Sequence, residues 1–287
     1  MAVSPLLRPP ESMRPDRMEV TTSVGSGKVF DIELGVRFEC LVGAQNGARG
    51  LTTGIVTIAP STSLTYHTHT FTESITLLKG SALGVVEGRE YKLERLDNVV
   101  VPRGLAHKFI NLSDQEPAVF NIALASDTPA RTLVADDFSH VAMPATSIGM
   151  NGAERVNRFR TAERFEAGPN TSFIDFFNEK LMSGVEMSGG YGLFQPGGRL
   201  PAHVHDFDES ICIIDGEADC IVEGRRCTMK ENATALQPRG RVHYFINNSS
   251  DEMAMIWVYA GPSPIRIVVD ERCATVEGNP WADGASQ

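Results

Sequence analysis

The chain repeats itself at a fixed offset of 136 residues, and this self-similarity constrains the fold more than any local pattern. Between residues 67 and 113, 20 of 47 positions are identical to the residue found 136 positions later. The matches run without a gap from the pair His67 and His203 to the pair Asn111 and Asn247. A sequence that repeats at one offset encodes one structural unit more than once. We therefore predict that the chain is a duplication of a single domain.

Short β-branched and aromatic runs dominate the sequence from about residue 29 onward. Gly, Pro and Asn residues separate these runs, of which GLTTGIVTIA, NVVVPRG and AVFNIALA are examples. This pattern is typical of many-stranded antiparallel folds, and long amphipathic stretches are missing. The pattern predicts an all-β protein.

The 287 residues are predicted to divide into three segments. Residues 1–28 are rich in Pro and Arg, which favours an extended N-terminal arm. Residues 29–150 and 151–287 would each form one copy of the repeated domain, and each is long enough to bury a core. The segment GAERVNRFRTAERFE, near the start of the second copy, predicts a short linker helix.

Charge and composition exclude several classes of partner. The net charge is −10 with neutral histidines, and no basic stripe of the kind that binds a phosphate backbone is present. No apolar run approaches the ~20 residues of a membrane span, and the N-terminus does not have the pattern of a secretory signal. The five cysteines form no CxxC pair, which favours reduced thiols. We expect a cytoplasmic protein that binds neither nucleic acid nor membranes, and a homo-oligomer is compatible with the sequence.

Six of the seven histidines fall inside the repeated pattern, and each half places three of them with one glutamate. The two candidate ligand sets are His67, His69, Glu73 and His107, and His203, His205, Glu209 and His243. Three imidazole nitrogens and one carboxylate oxygen suit Mn, Fe, Ni, Cu or Zn better than Mg or Ca. A single histidine is more often a hydrogen-bonded core residue, but joint recurrence favours a metal. The sequence therefore predicts up to two divalent transition-metal ions per chain, with Fe or Mn favoured.

With these residues in place, the chain resembles the cupins, and in particular the two-domain bicupins built from tandem cupin_2-type barrels. The first cupin motif is complete in the second half from Gly197 to Gly216, whereas Ser61 replaces its leading Gly in the first half. The second motif is present in both halves, with Leu96 and Asn232 where its leading Gly would stand. The resemblance implies two tandem jelly-roll barrels of the double-stranded β-helix type. It is much less specific for the reaction, because one fold carries many functions.

The resemblance implies a metal-dependent enzyme that acts on a small organic substrate. We favour a dioxygenase-type oxidoreductase, because four protein ligands leave two positions for a chelating substrate and dioxygen. Glu73 and Glu209 are the candidate catalytic residues, since either could leave the metal and act as a base. The complete first motif favours the C-terminal site.

Two alternatives stay open. The first is a non-oxidative hydrolase, decarboxylase or isomerase, similar to ureidoglycine aminohydrolases or cyclases. The second is a sensory bicupin that binds a metal and a ligand without turnover. Four phenylalanines each lie two residues after a ligand histidine, on the same face of the strand. They are expected to line the substrate pocket, although core packing would also explain them: Phe71, Phe109, Phe207 and Phe245.

Overall fold

A computed structural model describes residues 4–282 and confirms an all-β protein of two tandem barrels. The strands up to residue 150 are β1 (Val20–Thr22), β2 (Lys28–Glu33), β3 (Val36–Val42), β4 (Thr52–Ile58), β5 (His67–Thr68), β6 (Glu73–Lys79), β7 (Ala82–Val86), β8 (Arg89–Leu93), β9 (Asn98–Val101), β10 (His107–Asn111), β11 (Ala118–Leu124), β12 (Thr132–Leu133), β13 (Val141–Ala142) and β14 (Gly149–Met150).

The strands after residue 150 repeat much of this series. They are β15 (Arg155–Asn157), β16 (Phe165–Gly168), β17 (Thr171–Phe177), β18 (Ser188–Phe194), β19 (His203–Val204), β20 (Glu209–Asp215), β21 (Glu217–Val222), β22 (Arg225–Lys230), β23 (Thr234–Gln237), β24 (His243–Ile246), β25 (Met253–Tyr259) and β26 (Ile267–Val268). Short 3-10 helices lie at Glu11–Met13, Ala44–Asn46, Phe159–Thr161 and Glu271–Ala274.

Each barrel is made of two sheets. In the N-terminal barrel the sheet orders are β14-β15-β9-β6-β11-β4-β3-β2 and β12-β5-β10-β7-β8-β13. In the C-terminal barrel they are β1-β23-β20-β25-β18-β17-β16 and β22-β21-β24-β19-β26. The pairings are antiparallel, apart from the parallel contact of β13 with β8. Strand pleating sends alternate side chains inward, so each barrel has an apolar interior.

A further apolar core joins the two barrels. It contains Leu41, Ile55 and Leu78 from the N-terminal half and Phe176 and Ile256 from the C-terminal half. The hydroxyls of Thr53 and Ser210 share a hydrogen bond of 2.6 Å within this contact. Burial on this scale holds the two barrels together as one unit.

The N-terminal arm is extended and lies on the C-terminal barrel. Its strand β1 pairs with β23 in the register Val20 to Leu236, and Leu6 forms a parallel bridge with Val269. Farther along the arm, Arg17 donates from both terminal nitrogens to the buried carboxylate of Asp208, at 2.8 and 2.9 Å. The arm therefore covers an edge of the second barrel's sheet, while the proposed division at residues 28 and 150 stays a prediction.

The linker differs from the helix that its sequence predicts. Within GAERVNRFRTAERFE the chain forms β15, one 3-10 turn at Phe159–Thr161 and the start of β16. Asn157 donates to Asn98 and to the Phe176 carbonyl, and Arg158 donates to Asp97 and to the Lys92 carbonyl. These tertiary hydrogen bonds fix two successive side chains on other segments of the chain. They outweigh the weak helical propensity of this sequence.

Three residues that stand where a cupin motif has its leading glycine keep the backbone geometry that glycine favours. Ser61, Leu96 and Asn232 have φ values of 53°, 68° and 62°, close to the 74° of Gly197. This left-handed backbone is costly for a residue with a Cβ, above all for Leu. The corresponding turns therefore have the same backbone geometry in both barrels. Among residues 4–282, no helix is both long and apolar enough to span a membrane.

Candidate metal centres

The N-terminal cluster is assembled from both sheets of its barrel. His67 and His107 lie opposite each other in the pairing of β5 with β10. Glu73 begins β6 in the facing sheet, and His69 lies on the crossing between these strands. The candidate donor atoms of the four residues all lie within 4.8 Å of one another. The fold therefore brings together residues that are up to 40 positions apart in the chain.

Hydrogen bonds orient all three imidazoles of this cluster. The Nδ1 atoms of His67, His69 and His107 lie 2.9, 2.7 and 3.0 Å from the carbonyl oxygens of Thr65, Ala130 and Leu105. A carbonyl oxygen only accepts, so each Nδ1 carries the proton. In a neutral ring the lone pair of Nε2 then points inward, whereas a ring that is also protonated on Nε2 donates to the carboxylate instead.

The three Nε2 atoms converge on one oxygen. They lie 3.9, 3.2 and 2.7 Å from Oε2 of Glu73, in the order His67, His69 and His107. Lone pairs that face a buried carboxylate repel it unless a cation or extra protons intervene. The arrangement therefore fits a metal ion and fits a purely hydrogen-bonded core poorly.

Burial sets the protonation of this cluster. Desolvation, with the neighbouring His107, lowers the pKa of His67 to about 4. Burial alone would raise the pKa of Glu73, but hydrogen bonds from His107 and His69 hold it well below its ordinary value. Burial opposes the charge on His69, yet its bond to Glu73 raises its pKa overall. At neutral pH the cluster thus offers an ionised carboxylate and at least one neutral imidazole to a cation.

The C-terminal cluster repeats this geometry. The Nδ1 atoms of His203, His205 and His243 lie 2.8, 2.7 and 2.8 Å from backbone carbonyls. The Nε2 atoms of His205 and His243 lie 2.8 and 3.0 Å from Oε2 of Glu209. Burial would raise the pKa of Glu209, but its histidine partners lower it to about 2. Burial also lowers the pKa of His203 well below its ordinary value.

Both clusters fit a divalent transition metal. Each can offer three imidazole nitrogens and one carboxylate to a cation, and hydrogen bonds from Nδ1 to carbonyls are the usual support of metal-bound histidine. The donor set excludes the all-oxygen environment that Mg and Ca prefer. The chain therefore has sites for up to two divalent ions, with Mn and Fe among the metals that this set accepts.

The cavities beside the two clusters differ greatly in size. At the N-terminal cluster, His67, His69 and Glu73 line a cavity of about 240 Å³. At the C-terminal cluster, His203, Glu209 and His243 line a cavity of about 10 Å³, which has room for about one water molecule. Only the N-terminal cluster has space for an organic substrate beside it. This difference opposes the preference for the C-terminal site that the motif comparison suggested.

Large aromatic side chains fill the space at the C-terminal cluster. Trp257 and Tyr259 line its small cavity, and the ring centroid of Tyr259 lies 5.0 Å from that of His205. Burial and the nearby Glu209 raise the pKa of the Tyr259 phenol well above its ordinary value. In the N-terminal barrel the matching strand positions carry Ile122 and Leu124, which line the larger cavity.

The structure places most of the four phenylalanines that were expected to line the substrate pocket away from the two cavities, and their role toward a substrate stays a prediction. Phe71 and Phe207 stack beside His69 and His205, with ring centroids 4.8 and 5.1 Å apart. Phe109 packs in the barrel core against Phe120. None of these three lines the cavity at its cluster, and only Phe245 does so, at the small C-terminal cavity. Alternation along a strand places a residue on the inner face, but it does not say how deep the cavity reaches.

Sequence reasoning missed an arginine at the mouth of the larger cavity. Arg131 lines this cavity, its Nη1 lies 2.7 Å from Oε1 of Glu33, and its Nη2 donates to the Ile32 carbonyl. A signal was present in the repeat. Pro129 and Arg131 recur as Pro264 and Arg266, but at an offset of 135, because the second half is one residue shorter after Asn247.

Comparisons with known proteins agree with this architecture. A family model described as a cupin domain matches residues 54–133 and 190–259. No curated protein matches the chain in sequence.

Solved structures share the fold at low identity. Oxalate decarboxylase from Lactobacillus farciminis, in a formate complex, is 15% identical with a TM-score of 0.70, and the match covers 89% of this chain and 90% of that one. A Bacillus subtilis oxalate decarboxylase studied for its Mn(II) centers is 14% identical with a TM-score of 0.70, covering 91% and 82%. AerE from Microcystis aeruginosa is 14% identical with a TM-score of 0.60, covering 81% and 95%.

Proposed function

This chain belongs to the cupin family, and from that premise we propose that it is a metal-dependent dioxygenase whose N-terminal cluster acts on a small, mainly apolar substrate. The observation that carries the proposal is the cavity of about 240 Å³ beside His67, His69 and Glu73. A cavity that touches a metal cluster and is large enough for an organic molecule is the default active site. The C-terminal cluster, with about 10 Å³ beside it, would then hold a structural metal.

The cavity wall favours an apolar substrate. Beyond the cluster, its lining is formed mainly by Phe30, Ile32, Phe38, Val56, Leu64, Ile122 and Leu124. Its one basic side chain, Arg131, is already paired with Glu33. A small dianion such as oxalate would lose its hydration without a free cation other than the metal. A hydrophobic molecule with two neighbouring oxygen donors would instead bury its body on the wall and direct its oxygens to the metal.

The lining also limits the choice of reaction. Apart from the ligand Glu73, no carboxylate lines this cavity within residues 4–282. Hydrolysis and decarboxylation each need a group that moves a proton at the reacting atoms. A dioxygenase places both atoms of dioxygen in the product and takes the electrons from the substrate, so it requires no separate reductant. The wall therefore suits oxidative cleavage better than proton-transfer chemistry.

A bound redox-active ion would supply the activation of dioxygen and of the chelated substrate. The chain's own residues supply the setting. Thr65, Ala130 and Leu105 fix the three imidazoles through their carbonyls. Leu124 and Ile122 exclude water from the reacting atoms, and this exclusion prevents side reactions of reactive intermediates. Glu73 balances one positive charge of a divalent ion.

A decarboxylase is the second candidate. It is supported by the shared fold with two structures described as oxalate decarboxylases. In that case Glu73 would have to leave the metal and carry the proton, since it is the acidic group in the lining.

An isotope experiment separates the candidates. The protein would be loaded with Fe(II) or Mn(II), and 1,3-diketones, enediols and catechols would be supplied in air, under strict anaerobiosis and under ¹⁸O₂, with oxalate as a comparison. We expect oxygen uptake equal to product formed, two ¹⁸O atoms in the product, and no turnover without oxygen.

Other outcomes would contradict the dioxygenase. Turnover without oxygen, accompanied by release of carbon dioxide, would support the decarboxylase. Saturable binding of a compound at the metal-loaded protein with no turnover in any atmosphere would support a sensory bicupin. An Arg131→Gln variant would check the substrate class, because its activity toward uncharged substrates should change less than about threefold if the wall provides most of the binding.

A further inference from the structure

A second cavity lies at the mouth of the C-terminal barrel, separate from the small space beside the metal cluster. It measures about 220 Å³. Three aromatic side chains line both this cavity and the 10 Å³ space and so lie between them: Phe173, Trp257 and Tyr259. The cavity has the same place in its barrel as the proposed substrate cavity has in the other. Here, however, the metal cluster is closed off.

The basic residue of this cavity has lost the partner that its counterpart keeps. In the N-terminal barrel Arg131 faces Glu33. The equivalent residues of the C-terminal barrel, 135 positions later, are Arg266 and Gly168, so Arg266 has a glycine where Arg131 has its glutamate. A Cβ added at Gly168 would come within 2.6 Å of the Arg199 carbonyl oxygen. The close backbone approach therefore keeps a side-chain carboxylate out of this position.

Two buried donors at the cavity are left without acceptors. Nη1 of Arg266 and Nε1 of Trp257 are both buried, and neither finds a hydrogen-bond partner among residues 4–282. Nη1 of Arg131 also lacks a well-directed hydrogen bond, but it lies 2.7 Å from a carboxylate oxygen of Glu33. Trp257 as a whole is only 3% exposed. Leaving a buried donor without an acceptor costs free energy. Two such donors on one cavity indicate a ligand that accepts hydrogen bonds.

The remaining walls define the ligand further. The rings of Phe165, Phe173 and Tyr259 line the cavity, and the guanidinium of Arg266 lies 5.7 Å from the ring centroid of Phe173. One carboxyl, Asp175, is also in the lining, and burial raises its pKa although the nearby Arg266 opposes the shift. Arg266 forms no salt bridge within 4.0 Å in the part of the chain described here.

We propose that this cavity binds a small aromatic carboxylate, with the carboxylate on Arg266 and the Trp257 indole N–H and the ring between the aromatic walls. A guanidinium presents paired donors that match a carboxylate, and an adjacent N–H adds a third. The site does not depend on the proposed reaction, because Trp257 and Tyr259 separate it from the metal cluster.

Tryptophan fluorescence provides a local test, because the chain has only two tryptophans. In metal-loaded protein carrying Trp281→Phe, Trp257 is the single indole, and benzoate is the probe, with benzamide as its uncharged counterpart. We expect saturable quenching by benzoate, at least tenfold weaker binding of benzamide, and at least tenfold weaker binding of benzoate by Arg266→Gln. Arg266→Lys should recover part of the affinity.

The control is Arg226→Gln, which removes the same charge from an exposed residue of the same barrel and should leave benzoate affinity unchanged. Should the tryptophan variant fail to fold, benzoate should still raise the melting temperature of the otherwise unmodified protein, and Arg266→Gln should abolish that rise. The proposal is wrong if quenching does not saturate, if benzamide binds as well as benzoate, or if Arg266→Gln binds benzoate normally.

Discussion

Leu124 and Tyr259 occupy equivalent positions, each directly opposite the glutamate of its own cluster. Leu124 pairs with Glu73 in the contact of β11 with β6, and Tyr259 pairs with Glu209 in the contact of β25 with β20. The smaller side chain leaves an open cavity, and the larger one closes the corresponding space. This position, together with the pair Ile122 and Trp257 two residues earlier, distinguishes two otherwise similar centres.

Exchanging this residue should therefore abolish activity without removing the metal. We expect Leu124→Tyr to lower kcat/KM by about 100-fold, because the ring would occupy the substrate's place beside the cluster. Metal content by elemental analysis should stay close to two per chain. The control is Leu112→Tyr, at a residue that is 47% exposed and lines no part of the cavity. Full activity in Leu124→Tyr would show that the substrate binds elsewhere.

Metal content should report the two clusters separately. We expect about two ions per chain in the unmodified protein and about one in the double variant His67→Ala, His69→Ala, because each cluster is complete within its own barrel. The matching variant His203→Ala, His205→Ala should also retain about one. Circular dichroism would verify folding. An unchanged metal content in the first variant would remove His67 and His69 from the ligand set.

A buried ion pair should make stability depend on pH. Glu154 is fully buried and accepts from Arg89 at 2.7 and 2.8 Å and from the Tyr91 hydroxyl. Burial would raise its pKa, but these donors lower it below the ordinary 4.5. The folded state therefore gains stability above about pH 4.5 and loses it as the pH falls through the lowered pKa.

This contribution is measurable with one substitution. Glu154→Gln should lower the free energy of unfolding by about 1.5–3 kcal/mol at pH 7, and the difference from the unmodified protein should shrink below pH 4.5. Urea unfolding at several pH values would measure both effects. Glu163→Gln, at an exposed glutamate, should change stability by less than about 0.5 kcal/mol. A difference that grew toward low pH would contradict the assignment.

Docking of the N-terminal arm on the C-terminal barrel should depend on Asp208. Asp208 accepts from both terminal nitrogens of Arg17 and from the backbone N–H groups of Arg49 and Arg239. Asp208→Asn should lower the free energy of unfolding by about 1.5–3 kcal/mol and speed cleavage of the arm in limited proteolysis. Asp206→Asn, two residues away and largely exposed, provides the comparison and should have little effect. Equal proteolysis of both variants would show that Asp208 does not hold the arm.

Sequence reasoning reached the barrels and the ligand sets because both depend on local, repeated features. The clusters recur at one offset, and the positive φ at Ser61 shows that the turn survives even where the motif residue does not. The cavities could not be predicted in this way. Their sizes depend on Leu124 and Tyr259, which fall beyond the point where the offset changes from 136 to 135. The linker was also out of reach, since tertiary hydrogen bonds of Asn157 and Arg158 determine it.

The pairing of β1 with β23 has a consequence for the order of events on the ribosome. Val20 is made 216 residues before its partner Leu236, so β1 has no place to dock until β23 has been synthesised. Contacts so distant in sequence form late, because closing a long loop costs entropy before any pairing repays it. Strand β1 is therefore translated long before it can fold, and its docking reports that β23 of the second barrel is in place.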